Sequence, residues 1–308
     1  MTLDQLRIFV AVGEREHLTA GAKAVHLTPS AATAAIQALE GRYGAKLFHR
    51  VGRRLELTDS GRVFLDEARK VLGAAMAAEA ALEELSGLAR GRLAVAASQT
   101  LASHWLPPIL LRFAVEHAGI TLELVEGNTA SVAAAVLAGR AEIGCIEGDI
   151  DEPALAVTPL AEDRLVVVGA PQHPLTKIKG VSVAALNKCP WVMRELGSGT
   201  RAVFETAFRA AGGNPDNLAI ALTLPTNEAV CAAVVGSECL TVVSELVARP
   251  YLDAGRLHHV AYSLPNRRFA VVRHKERFRT RASQVFEALL RDEAAEMARR
   301  QNMPEFDI

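Results

Sequence analysis

The run of residues 194–201, Arg-Glu-Leu-Gly-Ser-Gly-Thr-Arg, contains residue types that bind anions. Gly197 and Gly199 allow the backbone to turn its N–H groups towards a ligand, and Ser198 and Thr200 add hydroxyl donors. A helix predicted to begin at Thr200 would direct the positive end of its dipole to the same place. A carboxylate, sulfate or phosphate would suit this loop, although the same residue types also form an ordinary helix N-cap.

Other polar residues stand where predicted strands end and helices begin, which is where ligands bind in α/β folds. Asn227 could face such a ligand or only cap its helix. Glu147 could accept a hydrogen bond from an amine or a hydroxyl but would repel an anion. The complete predicted ligand-binding set is Ser98, Gln99, Thr100, Asn128, Thr129, Glu147, Arg194, Glu195, Ser198, Gly199, Thr200, Arg201 and Asn227.

No pattern for catalysis or metal binding accompanies these residues. The sequence contains no G-x-S-x-G, Walker, zinc or dinucleotide signature. Its four cysteines form no C-x-x-C pair and have no histidine at metal-ligand spacing. Histidines in predicted loops and strand ends are scattered rather than grouped as a catalytic set: His104, His173, His258 and His259. We therefore expect no enzymatic activity, no metal and no cofactor.

A different chemistry is indicated by the segment of residues 18–58. Thr28 can cap a helix and Pro29 suits its first position, so a helix begins here. A short helix of small residues precedes it at 19–25 across a tight turn, which is the spacing of a helix-turn-helix. Ile36 and Leu39 would face the core of this motif.

The outward face of that helix is therefore free to enter the major groove of DNA. Residues 46–58 follow as two alternating segments joined at Gly52, which predicts a β-hairpin wing whose arginines bind phosphates. The predicted DNA contacts are Thr28, Pro29, Ser30, Ala31, Thr33, Ala34, Gln37, Arg50, Arg53 and Arg54. A solvated surface turn is the alternative reading of the arginines.

The charge of the whole chain gives no general attraction to DNA, because its formal net charge is −1. Residues 1–60 contain eight Lys and Arg against six Asp and Glu. Any electrostatic attraction to phosphates is consequently local to the wing.

The N-terminal residues resemble the LysR-type transcriptional regulators. The resemblance runs from Leu-Asp-Gln-Leu-Arg-Ile-Phe at 3–9, through the Thr-Pro-Ser helix start, to Leu-Phe-His-Arg at 47–50 and Leu-Thr-Asp-Ser-Gly at 57–61. Residues 194–201 are similar to a loop in a branch of the family that controls carbon fixation and sulfur assimilation. Where many members carry longer polar residues on the recognition helix, this chain has Thr33, Ala34, Ala35 and Gln37, so we expect more reliance on phosphate contacts and DNA shape.

A linker helix is predicted after the wing. Apolar residues recur at alternating spacings of four and three over about three heptads, which predicts a coiled-coil seam. The positions of this seam are Phe64, Ala68, Val71, Ala75, Ala78, Leu82 and Leu85. An amphipathic helix lying on its own domain is the alternative, but a dimerising helix would present two readers to two half-sites.

Beyond Gly91 the pattern changes to strands alternating with helices, which predicts two α/β units with parallel sheets. The strands are expected at 92–97, 120–126, 141–146, 164–170, 190–193, 219–224, 240–243 and 269–273, and the helices at 101–116, 130–138, 200–211, 227–235 and 280–300.

The predicted fold is an α/β effector domain, made of two Rossmann-like lobes as in periplasmic binding proteins, preceded by an all-α winged helix-turn-helix domain and a linker helix. The domains span 1–58, 59–89 and 90–308. The resemblance implies that the chain returns to the first lobe, so that lobe I comprises about 91–161 and 266–300 and lobe II about 162–265.

The resemblance further implies double-stranded DNA with dyad sites as a partner, a homodimer or homotetramer, and a small anionic effector between the lobes. Since the sequence starts without a signal peptide and contains no apolar run of membrane-spanning length, we expect a cytoplasmic protein with no membrane partner. One alternative is a redox-responsive regulator in which Cys231 and Cys239 form a switchable disulfide. Another is a solute-binding receptor without a DNA role.

Overall fold

The computed structural model describes residues 1–51, 54–85 and 91–301. The contacts divide the chain into two compact units, one made mainly of Met1–Gly87 and the other mainly of residues from Leu88 onward. The elements of the first unit are α1 (Leu3–Gly13), α2 (Leu18–Ala24), α3 (Pro29–Tyr43), β1 (Phe48–Val51), β2 (Arg54–Leu57) and α4 (Asp59–Leu85).

Local signals determine where α1 and α3 begin and end. Thr2 and Gln5 form a reciprocal capping box at the start of α1. The hydroxyl of Thr28 accepts a hydrogen bond from the N–H of Ala31 at 3.3 Å, so the predicted N-cap of α3 is confirmed. Gly44 ends α3 with a φ of 65°, a conformation that favours glycine.

The helix-turn-helix packs closely because small residues lie between its helices. An added Cβ on Gly21 of α2 would lie 2.6 Å from the Cα of Val12 in α1, so only glycine allows this approach. Ile36 and Leu39 are buried in the same core, together with Phe9, as predicted for the two α3 residues. The core therefore holds α3 in place by its Ile36 and Leu39 face and leaves the other face of the helix exposed.

The wing is an antiparallel pair of β1 and β2, in which Phe48 lies opposite Leu57 and Val51 opposite Arg54. The helix α4 follows directly. The first two positions of the predicted seam, Phe64 and Ala68, pack against the core of the first unit, as the alternative of a helix lying on its own domain expects. Further along, Val71 is 43% exposed and Leu82 is 69% exposed in the single chain.

The second unit contains two five-stranded sheets, each with helices. Lobe I has the strand order β4-β3-β5-β12-β6. Its elements are β3 (Gly91–Ser98), α5 (Leu106–Glu116), β4 (Ile120–Gly127), α6 (Thr129–Leu137), β5 (Ile143–Glu147), β6 (Leu155–Asp163), β12 (Arg267–His274) and α11 (Arg281–Gln301).

Lobe II has the strand order β11-β7-β10-β8-β9. The chain enters it after Asp163 and leaves it before Arg267. Its elements are β7 (Leu165–Gly169), α7 (Val183–Leu186), β8 (Pro190–Arg194), α8 (Gly199–Ala210), β9 (Ala219–Leu224), α9 (Asn227–Val234), β10 (Leu240–Ser244), α10 (Glu245–Asp253) and β11 (His258–Val260).

The structure confirms the predicted architecture and corrects several details. Each sheet is mixed rather than parallel, because β12 pairs antiparallel with β5 and β6, and β7 pairs antiparallel with β10 and β11. The return of the chain between the lobes produces this mixture. The predicted helix 101–116 begins with a π-helix at Leu101–Trp105. The predictions missed α7 and β11, which are short, and β6 and α10, which each contain a proline, Pro159 and Pro250, that disfavours a regular element.

Each lobe has its own aromatic core. In lobe I the rings of Phe113 and Phe286 meet edge to face with centroids 5.2 Å apart. In lobe II the indole of Trp191 lies 4.9 Å from the ring of Phe204. Both cores are buried, and they provide fixed frames for the loops at the strand ends.

Candidate functional site

The exposed face of α3 consists of the residues predicted to contact DNA. Its short side chains leave the helix surface accessible, and only Thr33 among them is half-buried. The hydroxyl of Thr33 donates to the carbonyl of Pro29 at 2.8 Å. The exposed members are Thr28, Pro29, Ser30, Ala31, Ala34 and Gln37.

A groove of about 220 Å³ lies between α3 and the wing. Thr33 and Gln37 line it from the helix, and Lys46 and Arg50 line it from the wing side. The structure therefore brings two predicted base-reading residues and one predicted phosphate contact to one surface. Lys46 was not among the predicted contacts. Arg53 lies outside the described residues, and for Arg54 the structure describes the backbone within β2 only.

Glu40 holds the wing against α3, a role that the sequence did not reveal. Its carboxylate accepts hydrogen bonds from the N–H groups of Leu47 and Phe48, at 2.9 and 3.3 Å, and from the ammonium of Lys46 at 2.9 Å. Burial alone would raise the pKa of Glu40, but these donors together lower it below its ordinary value. The charged carboxylate therefore fixes the wing to α3.

The predicted ligand-binding residues lie at the ends of strands and starts of helices in the second unit, and several connect the two lobes. Gln99 accepts a hydrogen bond from the N–H of Asn227, and Thr100 accepts one from the Asn227 amide at 3.1 Å. Asn128 donates to Glu195 at 3.0 Å. The cleft between the lobes is thus closed by direct contacts among these side chains.

Arg194 is buried in this cleft, and all three nitrogens of its guanidinium donate hydrogen bonds. Its guanidinium donates to both carboxylate oxygens of Glu195, at 2.9 and 3.0 Å, and to the amide oxygen of Asn227 at 2.5 Å. The N-cap of α9 is Thr226 and not Asn227, whose amide instead joins Arg194 of lobe II to Thr100 of lobe I. Burial acts to raise the pKa of Glu195, but its bonds to Arg194 and Asn128 lower it.

The conformation of the 194–201 loop differs in part from an open anion cradle. Ser198 is the N-cap of α8 and accepts from the N–H of Arg201 at 3.5 Å. Arg201 binds Glu205 at 2.7 Å and the carbonyl of Arg194 at 3.0 Å, so it braces the loop. An added Cβ on Gly199 would lie only 2.1 Å from the carbonyl oxygen of Glu147, so glycine is required where the lobes meet.

Arg267, which was not predicted, occupies the centre of the cleft. It is 2% exposed and lies at the start of β12, where the chain returns to lobe I. Its guanidinium donates to Asp163 at 2.6 Å, to the hydroxyl of Thr200 at 2.7 Å, to the hydroxyl of Thr100 at 3.1 Å and to Glu147. The other oxygen of Glu147 accepts from the N–H of Thr100 at 2.8 Å.

Two further predicted residues complete the polar surroundings. The hydroxyl of Thr129 donates to the carbonyl of Glu147 at 2.9 Å. The hydroxyl oxygen of Ser98 is buried and has no hydrogen-bond partner among the described residues. A buried hydroxyl without a partner is costly, so Ser98 is a group that a ligand could satisfy.

Burial raises the thiol pKa of Cys145, Cys189 and Cys231, which lowers the reactivity of these three cysteines. Cys145, Cys189, Cys231 and Cys239 are all free. Burial raises the pKa of the Cys231 thiol to about 12, which disfavours the reactive thiolate. Among the described residues there is no group of three or more His, Cys, Asp or Glu side chains placed to hold a metal ion. Within that same part of the chain, no helix is both long and apolar enough to span a membrane.

Comparison with known proteins agrees with this division of the chain. The family model of the LysR substrate binding domain matches residues 86–295, and that of the lysR family of bacterial regulatory helix-turn-helix proteins matches residues 3–62. The uncharacterized HTH-type transcriptional regulator YeiE of Escherichia coli K12 is 34% identical over 265 residues, which cover 86% of this chain and 88% of YeiE.

Solved structures share the fold. Full-length CbnR complexed with its target DNA has a TM-score of 0.64 and 23% identity, covering 95% of this chain and 100% of CbnR. The regulatory domain of CcmR from Synechocystis PCC6803 in complex with 2-PG has a TM-score of 0.61 and 24% identity, covering 70% of this chain and 100% of that domain. On these matches, and on the helix-turn-helix and two-lobed cleft described above, the chain belongs to the LysR family of bacterial transcriptional regulators.

Proposed function

We propose that this regulator reads operator DNA with α3 and the wing, and that an anionic metabolite bound between the lobes controls this reading. The observation that carries the DNA part is the groove between α3 and the wing, where Gln37 and Thr33 stand opposite Arg50 and Lys46. Side chains of α3 would contact base edges while the cations hold phosphates. Few of the α3 side chains are long, so phosphate contacts and DNA shape would contribute much of the specificity.

The ligand part is supported by the concentration of donors in the cleft. Arg194 and Arg267 are both buried, and Arg267 donates to the hydroxyls of Thr100 and Thr200. The buried hydroxyl of Ser98, two residues before Thr100, has no partner among the described residues. Such donors suit a carboxylate, sulfate or phosphate. The effector-domain relative CcmR binds 2-PG, which supports a small metabolite as the class of ligand. A ligand can shift the lobes only as far as its affinities for their two geometries differ.

Dimers or tetramers would present paired readers to a dyad operator. The exposed apolar residues Val71 and Leu82 on α4 suit a helix pair. The edge strands β4 and β9 expose Val125 and Leu222, at 54% and 47%, and these faces suit side-by-side effector domains. We place the protein in the cytoplasm with its DNA target and assign it no enzymatic activity.

The test is fluorescence anisotropy of the pure protein on DNA from immediately upstream of its own gene, with scrambled DNA of equal length as control, across a salt series. We expect salt-sensitive binding that favours the native sequence. Sulfate, organic acids and phosphorylated metabolites are then added one by one, and at least one should change the operator affinity. Equal binding to both DNAs in every condition would contradict the proposal.

A further inference from the structure

The cluster around Arg267 has an excess of negative charge. One guanidinium faces two carboxylates, Glu147 and Asp163, and all three side chains are at most 3% exposed. Asp163 also accepts from the hydroxyl of Ser244 at 2.7 Å. Burial raises the pKa of the Asp163 carboxyl, although Arg267 and Ser244 act to lower it. A buried excess charge is costly, so this arrangement favours the loss of one carboxylate.

Glu147 occupies the position that an anionic ligand would use. One oxygen accepts from Arg267 and the other from the backbone N–H of Thr100, which are the kinds of donors that bind a free carboxylate or sulfate. Ser98, whose buried hydroxyl has no partner among the described residues, ends β3, the strand that pairs with β5. Because Ser98 stands two residues before Thr100, we expect its hydroxyl to be an additional donor for an anion bound to the Thr100 N–H.

An anion cannot join this cluster while Glu147 remains. It would place a third negative charge beside a single guanidinium, in surroundings where like charges interact strongly. The donors of Asp163 are the Ser244 hydroxyl and the Nε of Arg267, whereas those of Glu147 are the guanidinium and a backbone N–H, which a free anion would use as well. Glu147 is therefore the carboxylate whose departure makes room, and a singly charged anion in its place leaves the net charge of the cluster as it was.

We propose that the carboxylate of Glu147 is an internal competitor of the effector: it occupies the anion position at Arg267 and Thr100, and the effector binds by displacing it. This inference rests on the proposed function, since it concerns the same cleft. Because Arg267 of lobe I also donates to Thr200 of lobe II, the exchange of anions on its guanidinium acts where the two lobes are joined. Glu147 thereby raises the concentration of anion that is needed for binding, so anions that bind weakly leave the regulator unchanged.

The test compares sulfate binding by calorimetry, in buffer free of other multivalent anions, for the full-length wild type and for Glu147→Gln. The variant should bind sulfate at least about tenfold more tightly, because one like charge has gone. Glu147→Ala, which also leaves room for the anion, should bind sulfate more tightly as well. It is the second test if the glutamine amide disturbs the hydrogen bonds of the cluster. The matched control is Glu287→Gln, which removes another buried carboxylate of lobe I, one that accepts from Arg279 at 2.5 Å, and leaves the Arg267 cluster intact; it should bind sulfate as the wild type does.

The gain must also depend on Arg267. Adding Arg267→Lys to Glu147→Gln should abolish it, because lysine lacks the guanidinium fork. Sulfate binding in both Glu147 variants that is no tighter than in the wild type, or a gain that survives Arg267→Lys, would overturn the proposal. Anisotropy titrations of the operator with the same proteins distinguish failure of the Glu147 inference from failure of the proposed function. If metabolites change the operator affinity of the wild type and of the Glu147 variants to the same extent, only the role of Glu147 is refuted. If the variants bind sulfate more tightly but no anion changes the operator affinity of any protein, the proposed regulation itself is contradicted.

Discussion

At the scale of single residues, the chemistry of the cleft depends on how each buried charge is matched. Arg194 has one carboxylate partner and a polar amide, whereas Arg267 has two carboxylates and two hydroxyls. Truncating one partner of such a cluster leaves the others buried and uncompensated. Single substitutions here should therefore change ligand affinity through the charge that remains, rather than through one lost contact.

The proposed DNA contacts in the groove between α3 and the wing allow base reading and phosphate binding to be tested separately, one residue at a time. Replacing Arg50 by Ala should weaken binding to operator and random DNA alike and reduce the slope of log affinity against log salt by about one. Replacing Gln37 by Ala should instead cost about 1–3 kcal/mol on the operator and little on random DNA. Anisotropy titrations at several salt concentrations measure both effects.

The control for these two changes is Arg256→Ala, which removes an arginine of the second unit that lies over the ring of Tyr251, 5.5 Å from its centroid. It should leave both affinities unchanged. If Gln37→Ala weakens operator and random DNA equally, base readout by this residue is refuted.

At the scale of elements, the attachment of the wing to the recognition helix depends on Glu40. Replacing Glu40 by Gln should destabilise the N-terminal unit by about 1–3 kcal/mol, because two buried N–H groups lose a charged acceptor. Calorimetric unfolding at pH 7 would show this as a lower transition temperature. Operator affinity should fall as well, since Arg50 is carried by the wing.

The pH dependence of that effect follows from the sign of the pKa shift. The folded pKa of Glu40 lies below its ordinary value of about 4.5, so its stabilisation is present above that value and is lost as the pH falls through the folded pKa. The difference between wild type and Glu40→Gln should shrink accordingly below about pH 4.5. Glu67→Gln is the control, because Glu67 is 61% exposed in its pair with Lys70 and should contribute little. A constant difference across this pH range would show that the charge of Glu40 is not what holds the wing.

At the scale of the effector domain, closure of the lobes requires the backbone of α8 to meet the end of β5. Replacing Gly199 by Ala should separate the lobes, because the added Cβ would lie 2.1 Å from the carbonyl oxygen of Glu147. Two amides report the separation: that of Asn227, which donates to Gln99 across the cleft, and that of Ala130 in lobe I, which donates to the carbonyl of Gly197 in lobe II. Both should exchange with solvent deuterium at least about tenfold faster, as local opening predicts.

Gly91→Ala is the matched control for this change, because an added Cβ on Gly91 meets nothing within 4 Å. Its exchange pattern should equal that of the wild type. Unchanged protection of both amides in Gly199→Ala would show that the lobes accommodate the methyl group, and would remove the requirement for glycine.

The sequence by itself determined the features that depend on local interactions. Thr28 and Pro29 begin the recognition helix through contacts within one turn, and the alternation of strands and helices beyond Gly91 predicts two α/β lobes. The polar residues after β3, β4, β5 and β8 could be named as candidate ligand contacts for the same reason, since a strand followed by a helix places its loop at the sheet edge. Such signals are short in sequence and need no knowledge of distant residues.

Only the tertiary structure decided how these residues are paired. Arg267 and Glu147 are separated by 120 residues, and Arg267 and Asp163 by 104, so no spacing in the sequence could reveal that they form one cluster. The antiparallel pairing of β12 likewise follows from the return of the chain to lobe I. In the N-terminal unit, Glu40 reads as an ordinary polar residue of a helix until folding places the N–H groups of Leu47 and Phe48 against it. Buried charge is the reason in both places, because its cost forces partners together that local sequence cannot identify.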